Sequence, residues 1–289
     1  VSAVVGQLVP GASGAVRRRT RRSVTLTIGL ILAGLVVATA LVSLVWLPYS
    51  PSDTSGGRLE APGAAHWLGT DKLGRDLFSQ LMIGARIALA VGIGSVAIAA
   101  VLGVLLGLVA AFAAAWLDDT VSAFLDILIA FPVLLLAMLI VAAQGASLWS
   151  AILAIGLAAS AVVARLTRVL AKRVLAEQYI TAARTSGAGW FGIIGQHVLP
   201  NIAPTLSVNL ALQFGVAVLA EASLSYLGLG APPPNASWGR LLQEAQGTVA
   251  TAPIGAVAPG VALVVLVIGV NLVADGLRDV ADPTRRRRR

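Results

Sequence analysis

Five stretches of this chain, residues 24–47, 87–117, 127–164, 202–220 and 245–274, run without a single Asp, Glu, Lys or Arg. Each is as long as the about 20 residues with which a helix crosses a hydrocarbon core of roughly 30 Å, or longer. A backbone in hydrocarbon must satisfy its own N–H and C=O groups, so only helices and closed barrels can span it. These runs are continuously apolar rather than alternating, which argues against a barrel. The third is too long for one helix, and Gln144-Gly145-Ala146-Ser147 within it suits a turn. The pattern predicts an all-α integral membrane protein with six transmembrane helices.

Composition narrows the function classes. Only 12% of the 289 residues are charged, about half of the roughly 25% in a soluble domain, and mean hydropathy is +0.88. One soluble domain with an ordinary surface is excluded. The absence of cysteine excludes a disulfide framework, an iron–sulfur cluster and a thiolate zinc site. His66 and His197 are too few and too far apart in sequence for a histidine metal centre, so no metal site is expected. Neither has a carboxylate near in sequence to form a triad-like relay, and no His-Glu-x-x-His pattern occurs. No catalytic residue is expected, nor a nucleic-acid partner.

Basic residues give the orientation. With a cytoplasmic N-terminus, the inner segments hold 16 of them, Arg17–Arg19, Arg21, Arg22, Arg165, Arg168, Lys172, Arg173, Arg184, Arg278 and Arg285–Arg289. Arg58, Lys72, Arg75, Arg86 and Arg240 are the five outside. Both termini are therefore expected in the cytoplasm. The first apolar run, 24 residues long, exceeds the 7–15 of a usual signal-peptide core and reads as a retained anchor. The organisation is then a basic segment 1–23, a six-helix transmembrane domain 24–277 with a cytoplasmic loop 165–200, and a basic tail 278–289.

Loop lengths are unequal. Residues 48–81 and 228–251 form long outer segments, 116–119 a tight cytoplasmic hairpin, and 165–200 a long cytoplasmic loop. In that loop Ile180, Ala183, Phe191 and Ile194 recur at helical spacing, interrupted by Gly187 and Gly189, which predicts two short helices joined by a glycine turn. Its small residues suit close approach of a partner backbone, whereas Trp190, Phe191 and nearby arginines equally suit a helix on lipid headgroups. Within the apolar runs, Asn209 and Gln213 share one helix face at i, i+4, with a path or interface role expected for both, and Ser207 reads as interhelical glue. Glu221 and Asp126 read as paired or capping groups near helix ends, with Glu221 also a path candidate. Pro132 and Pro204 permit kinks, and Gly103-x-x-x-Gly107 is a close-packing pattern.

Thr181-Ala182-Ala183, three residues, Gly187, nine residues, then His197-Val198-Leu199-Pro200 resembles the "EAA" loop of permease subunits of ATP-binding-cassette importers. Thr181 stands where that pattern has glutamate and His197 where it has isoleucine. Three further segments resemble the dipeptide, oligopeptide and nickel branch, in its second-permease (DppC or OppC) type. They are Leu68-Gly69-Thr70-Asp71 with Gly74-Arg75-Asp76 and Gly84-Ala85-Arg86; residues 221–230 with Trp238-Gly239; and Asn271-Leu272 with residues 275–279 and Asp282-Pro283. The resemblance implies a multi-pass subunit of a bacterial inner membrane that pairs with a homologous second permease, two ATPase subunits and a solute-binding protein. ATP and Mg would sit on the ATPases, since neither lysine follows the glycine of a phosphate-binding loop: Lys72 follows Asp71 and Lys172 follows Ala171. No cofactor is expected on this chain. The resemblance makes Thr181, Ala182, Ala183, Arg184, Gly187, His197, Leu199 and Pro200 the ATPase-coupling residues, and the 177–201 loop the coupling element. The outer loops, with Asp71, Arg75, Asp76 and Trp238, become candidates for docking the binding protein. Peptides are the expected substrate, with nickel chelates or haem as alternatives. The rival reading is a stand-alone secondary transporter or channel, which would need inverted repeats and coupling-ion carboxylates.

Overall fold

The computed structural model describes residues 24–230, 232 and 236–281; the basic segment 1–23 and the tail from residue 282 lie outside the described residues. Helices α1 (Val24–Val45), α2 (Leu77–Phe112), α5 (Leu148–Leu175) and α10 (Ile254–Ala281), with one continuous helical run over residues 190–226, are each long and apolar enough to cross a membrane. The remaining expected span is not one helix. It is a pair, α3 (Ala115–Ala130) and α4 (Val133–Gln144), meeting at 90°. Phe131 precedes Pro132 and is extended at φ −78°, ψ 131°; the proline ring disfavours a helical residue before it, and proline has no N–H to continue the ladder. A kink was the expectation at Pro132, and a right-angle break is the outcome. The turn expected at 144–147 is present: Gly145 has φ 87°, and Ser147 caps α5 by accepting from the Ser150 N–H at 3.0 Å.

Helix α5 is the enclosed centre of the bundle and packs along α2. Glycines permit the approach. A Cβ on Gly103 would stand 2.6 Å from Val163 Cβ, one on Gly107 2.5 Å from the Ala164 carbonyl oxygen, and one on Gly156 2.8 Å from Ile98 Cβ. The Gly103/Gly107 pattern thus serves contact inside the subunit. Helix α1 lies against α10 in the same manner: Cβ atoms on Gly29 and Gly269 would meet backbone of the opposite helix at 2.7 Å.

Two boundaries differ from the sequence expectation, for one reason. Residues 116–119 are not a hairpin but lie in the first two turns of α3, and α5 runs on through the basic residues of the expected loop as far as Leu175. Charges there mark helix rather than loop because they satisfy one another. Arg168 donates to both carboxylate oxygens of buried Asp118 at 2.5 and 2.8 Å, and Lys172 also donates to it. Asp126 faces Arg165 at 3.2 Å on the exposed side.

Candidate functional site

The 177–201 segment folds into α6 (Gln178–Thr185), a turn, α7 (Trp190–Ile193) and one wide turn at residues 194–198 that runs straight into α8 (Leu199–Tyr226). The expected pair of short helices about a glycine turn is found, but the second is the start of a membrane helix. The wide turn has a local cause. Pro200 cannot donate and its ring crowds the carbonyl four residues back, and the Leu199 N–H reaches Ile194 O, five residues back. Gly187 ends α6 with φ +87°, donating to Arg184 O at 3.0 Å while Ala188 donates to Ala183 O at 3.0 Å. This closing turn requires the left-handed region that glycine enters freely.

Burial divides the segment into an anchor and a face. Ile180, Ile193, Val198 and Ile202 are buried with Leu108 of α2 and Ala171 of α5. Thr181, Ala182, Arg184, Gly187 and Pro200 are exposed, and Ala183, His197 and Leu199 half-buried. Nothing lies within 4 Å of a Cβ built on Gly187, Gly189, Gly192 or Gly195. Tyr179 is exposed and sits 5.9 Å from the His197 ring, and Phe191 is 92% exposed. The open row Gly189, Gly192, Gly195 is legible as a three-residue spacing that the motif reading passes over, as it does Tyr179, whereas Phe191 is marked by its helical spacing.

At the opposite end, the residues singled out for docking turn inward. Asp71 accepts from the Leu73 and Arg75 N–H groups at 2.7 and 2.9 Å and from Arg75 Nε at 2.6 Å. Arg75 crosses to Glu244 at 2.6 Å, in helix α9 (Trp238–Ala245) of the second long loop, where Arg240 donates to the same carboxylate. Asp76 caps α2, accepting from the Ser79 N–H at 2.7 Å. Trp238 is 2% exposed; its indole N–H donates to Leu81 O at 2.9 Å and its ring fills the space left by Gly84. These four side chains fasten the two long loops to the bundle. His66 does find a carboxylate, Asp76 Oδ1 at 3.0 Å, which sequence distance had hidden. The Ser79 hydroxyl bonds to Asp76, so the cluster is a cap with Asp76 at its centre, not a base holding a nucleophile.

The polar residues of α8 separate as well. Glu221 is enclosed by its own chain, 2% exposed, accepting from Ser225 Oγ at 2.6 Å, with the Ser237 hydroxyl also bonded to it. Ser207 is exposed and donates to Pro204 O of its own helix at 2.9 Å, and no bond to another helix of this chain is seen among the described residues. Asn209 and Gln213 are half-buried, and Asn209 Oδ1 is buried without a hydrogen-bond partner among the described residues. Among the described residues no three His, Asp or Glu side chains converge as metal ligands.

Comparison with known proteins agrees with this architecture. The family model described as "binding-protein-dependent transport system inner membrane component" matches residues 103–287. The chain is 37% identical over 260 residues to the dipeptide transport system permease protein DppC of Alkalihalophilus pseudofirmus, covering 88% of this chain and 86% of that protein. It is 38% identical to the glutathione transport system permease protein GsiD of Pectobacterium atrosepticum, covering 92% and 89%, and 35% identical to a putative peptide permease of Brucella suis, covering 96% and 94%. The fold matches a chain of the MetNI methionine ABC transporter in an inward-facing conformation, with TM-score 0.58 and 24% identity over 70% of this chain and 97% of that one. The chain therefore belongs to the binding-protein-dependent transport system inner membrane component family and is a multi-pass permease component of an ATP-binding-cassette importer.

Proposed function

We propose that this chain forms half of the translocation path for di- or oligopeptides, and that separate ATPase subunits drive it through the 177–201 segment. The observation that carries the coupling role is the open face of α6 and the glycine row beside it, held by Ile180, Ile193 and Val198 against the ends of α2, α5 and α8. A partner that moves this face moves three membrane helices, and a contact with different energy in two states is what a driven change needs. A homologous permease supplies the other half of the path, ATP and Mg sit on the ATPases, and a solute-binding protein delivers substrate. The peptide reading draws on the relatives, whose names specify dipeptide, glutathione and peptide transport. The unpartnered Oδ1 of Asn209 supports a place for it, with Gln213, where the second permease or the solute provides a donor.

Gly187→Arg adds a long side chain at the open turn and strains its backbone, and Ala183→Arg adds the same bulk on α6. Both variants are expected to insert normally and to lose substrate uptake, with either no copurified ATPase or ATP hydrolysis without transport. A segment lying on anionic headgroups would instead accept an added arginine, and wild-type uptake in both variants would discard the coupling role. Orientation is tested by thiol labelling of intact cells: Ala188→Cys and Ala281→Cys are expected to be shielded from an impermeant reagent and Ser55→Cys labelled. Labelling at residue 188 from outside would reverse the topology.

A further inference from the structure

Arg86 is a cation within a membrane-spanning helix that no carboxylate answers. It lies about 14 Å along α2 from Leu77, and no Asp or Glu among the described residues pairs with it. Its Nε donates to Ser43 Oγ of α1 at 2.5 Å, and that hydroxyl donates onward to Ala40 O at 2.6 Å. One nitrogen of the guanidinium is thereby fixed. The two terminal nitrogens make no hydrogen bond among the described residues, and neither is enclosed. An ionisable group inside a span is costly and is kept where an ion or polar group meets it.

The surroundings of Arg86 are apolar and outward-facing. Ala90, Ile93, Ala97 and Val101 follow it along α2 at helical spacing, and all four are exposed. Beside it the end of α1 is equally bare, with Leu41, Leu44 and Val45 exposed. Immediately past α1, Trp46 stands 6.4 Å from Trp67, which stands 5.1 Å from Phe78 in the first turn of α2; both tryptophans are about half exposed. In a membrane protein such rings sit at the level of the lipid headgroups. A helical side chain leans toward the N-terminus of its helix, so Arg86 climbs α2 toward these rings, and Ser43, one turn before Trp46, holds it there. An aliphatic stem on apolar surface with its charge raised to the interface is the snorkelling geometry. The anion of that level is the phosphodiester of a phospholipid, and two free nitrogens of a planar guanidinium match two of its oxygens.

We infer that Arg86 and Ser43 form a phospholipid site: the terminal guanidinium nitrogens take the phosphodiester, the acyl chains run down the stripe from Ala90 to Val101, and the headgroup lies against Trp46 and Trp67. The test uses the transporter in nanodiscs of phosphatidylglycerol, a fraction of which carries a photoreactive diazirine on its headgroup. Labelling of the peptide that contains Trp46, read by mass spectrometry, is expected in the wild type. It should fall about tenfold in Arg86→Gln, which deletes a charge-assisted pair, and about threefold in Ser43→Ala, which keeps the charge and frees its orientation. Arg86→Lys is expected to fall between the wild type and Arg86→Gln. Ser43→Ala carries the test by itself if Arg86→Gln does not assemble. Equal labelling in the wild type and in every variant that assembles overturns the site, as does absence of labelling in the wild type. A benzoylphenylalanine at position 90 is expected to give a lipid adduct; cross-linking to the second permease or to a peptide substrate instead would give Arg86 a protein or substrate carboxylate and overturn the lipid. Inorganic phosphate added at constant ionic strength is expected to leave labelling unchanged, and its displacement of the lipid would make the ligand a free anion.

Discussion

The 48–76 and 227–253 loops at one end of the bundle and the 177–201 segment at the other carry equally distinctive residues and treat them in opposite ways. In the loops, Asp71, Arg75, Asp76 and Trp238 are bound by the chain itself, with Arg75 reaching Glu244 across 169 residues of sequence. At the other end Thr181, Ala182, Arg184 and Gly187 are exposed, and a Cβ on Gly189, Gly192 or Gly195 would stand in open space. The lesson concerns polar and aromatic motifs in a membrane protein. They become scaffold wherever a distant segment returns to satisfy them, and contact surface wherever none does. Burial, not residue type, separates the two.

The contrast breaks most readily at Trp238. Trp238→Ala removes a buried indole and its bond to Leu81 O, and is expected to cost about 3–5 kcal/mol of stability, seen as a large fall in unfolding temperature of the detergent-purified complex. An unchanged temperature would make Trp238 a contact residue after all. Arg75→Ala leaves Asp71 and part of Glu244 without their cation, and a smaller loss of roughly 2–3 kcal/mol is expected, since the site is partly open to water. Charge-neutral Asp71→Asn combined with Arg75→Gln should recover part of that loss in the same melting assay; no recovery would mean that packing rather than charge pairing holds the loop. Phe191→Ala is expected to change stability by less than about 0.5 kcal/mol, as for a surface site, while lowering copurified ATPase. Substantial destabilisation there would erase the distinction between the two ends.

Much of the fold was legible because apolar length and the absence of charge are written locally. Five charge-free runs correspond to long helices, and Gly145-Ala146-Ser147 is a turn as its composition suggests. Charges misled where they were paired. Asp118, Arg168 and Lys172 read as loop residues because each alone would be solvated, yet together they extend two helices beyond the apolar runs. In the candidate coupling site, the glycine turn and the small-residue face were readable from spacing. The continuity of α7 with α8 was not, since it depends on how one wide turn absorbs Pro200.

By itself the sequence determined that the chain is helical, apolar enough for a membrane and breakable at Pro132, because each of these follows from side chains within a few residues of one another. Tertiary structure alone decided which polar groups are spent and which are available. Glu221 gained its second hydroxyl partner only when Ser237 returned to it, and His66 had no carboxylate until the loop folded Asp76 against its ring. The physical reason is that hydrogen bonds and ion pairs are satisfied by proximity in space, and a chain that crosses a membrane repeatedly places its nearest neighbours far apart in sequence.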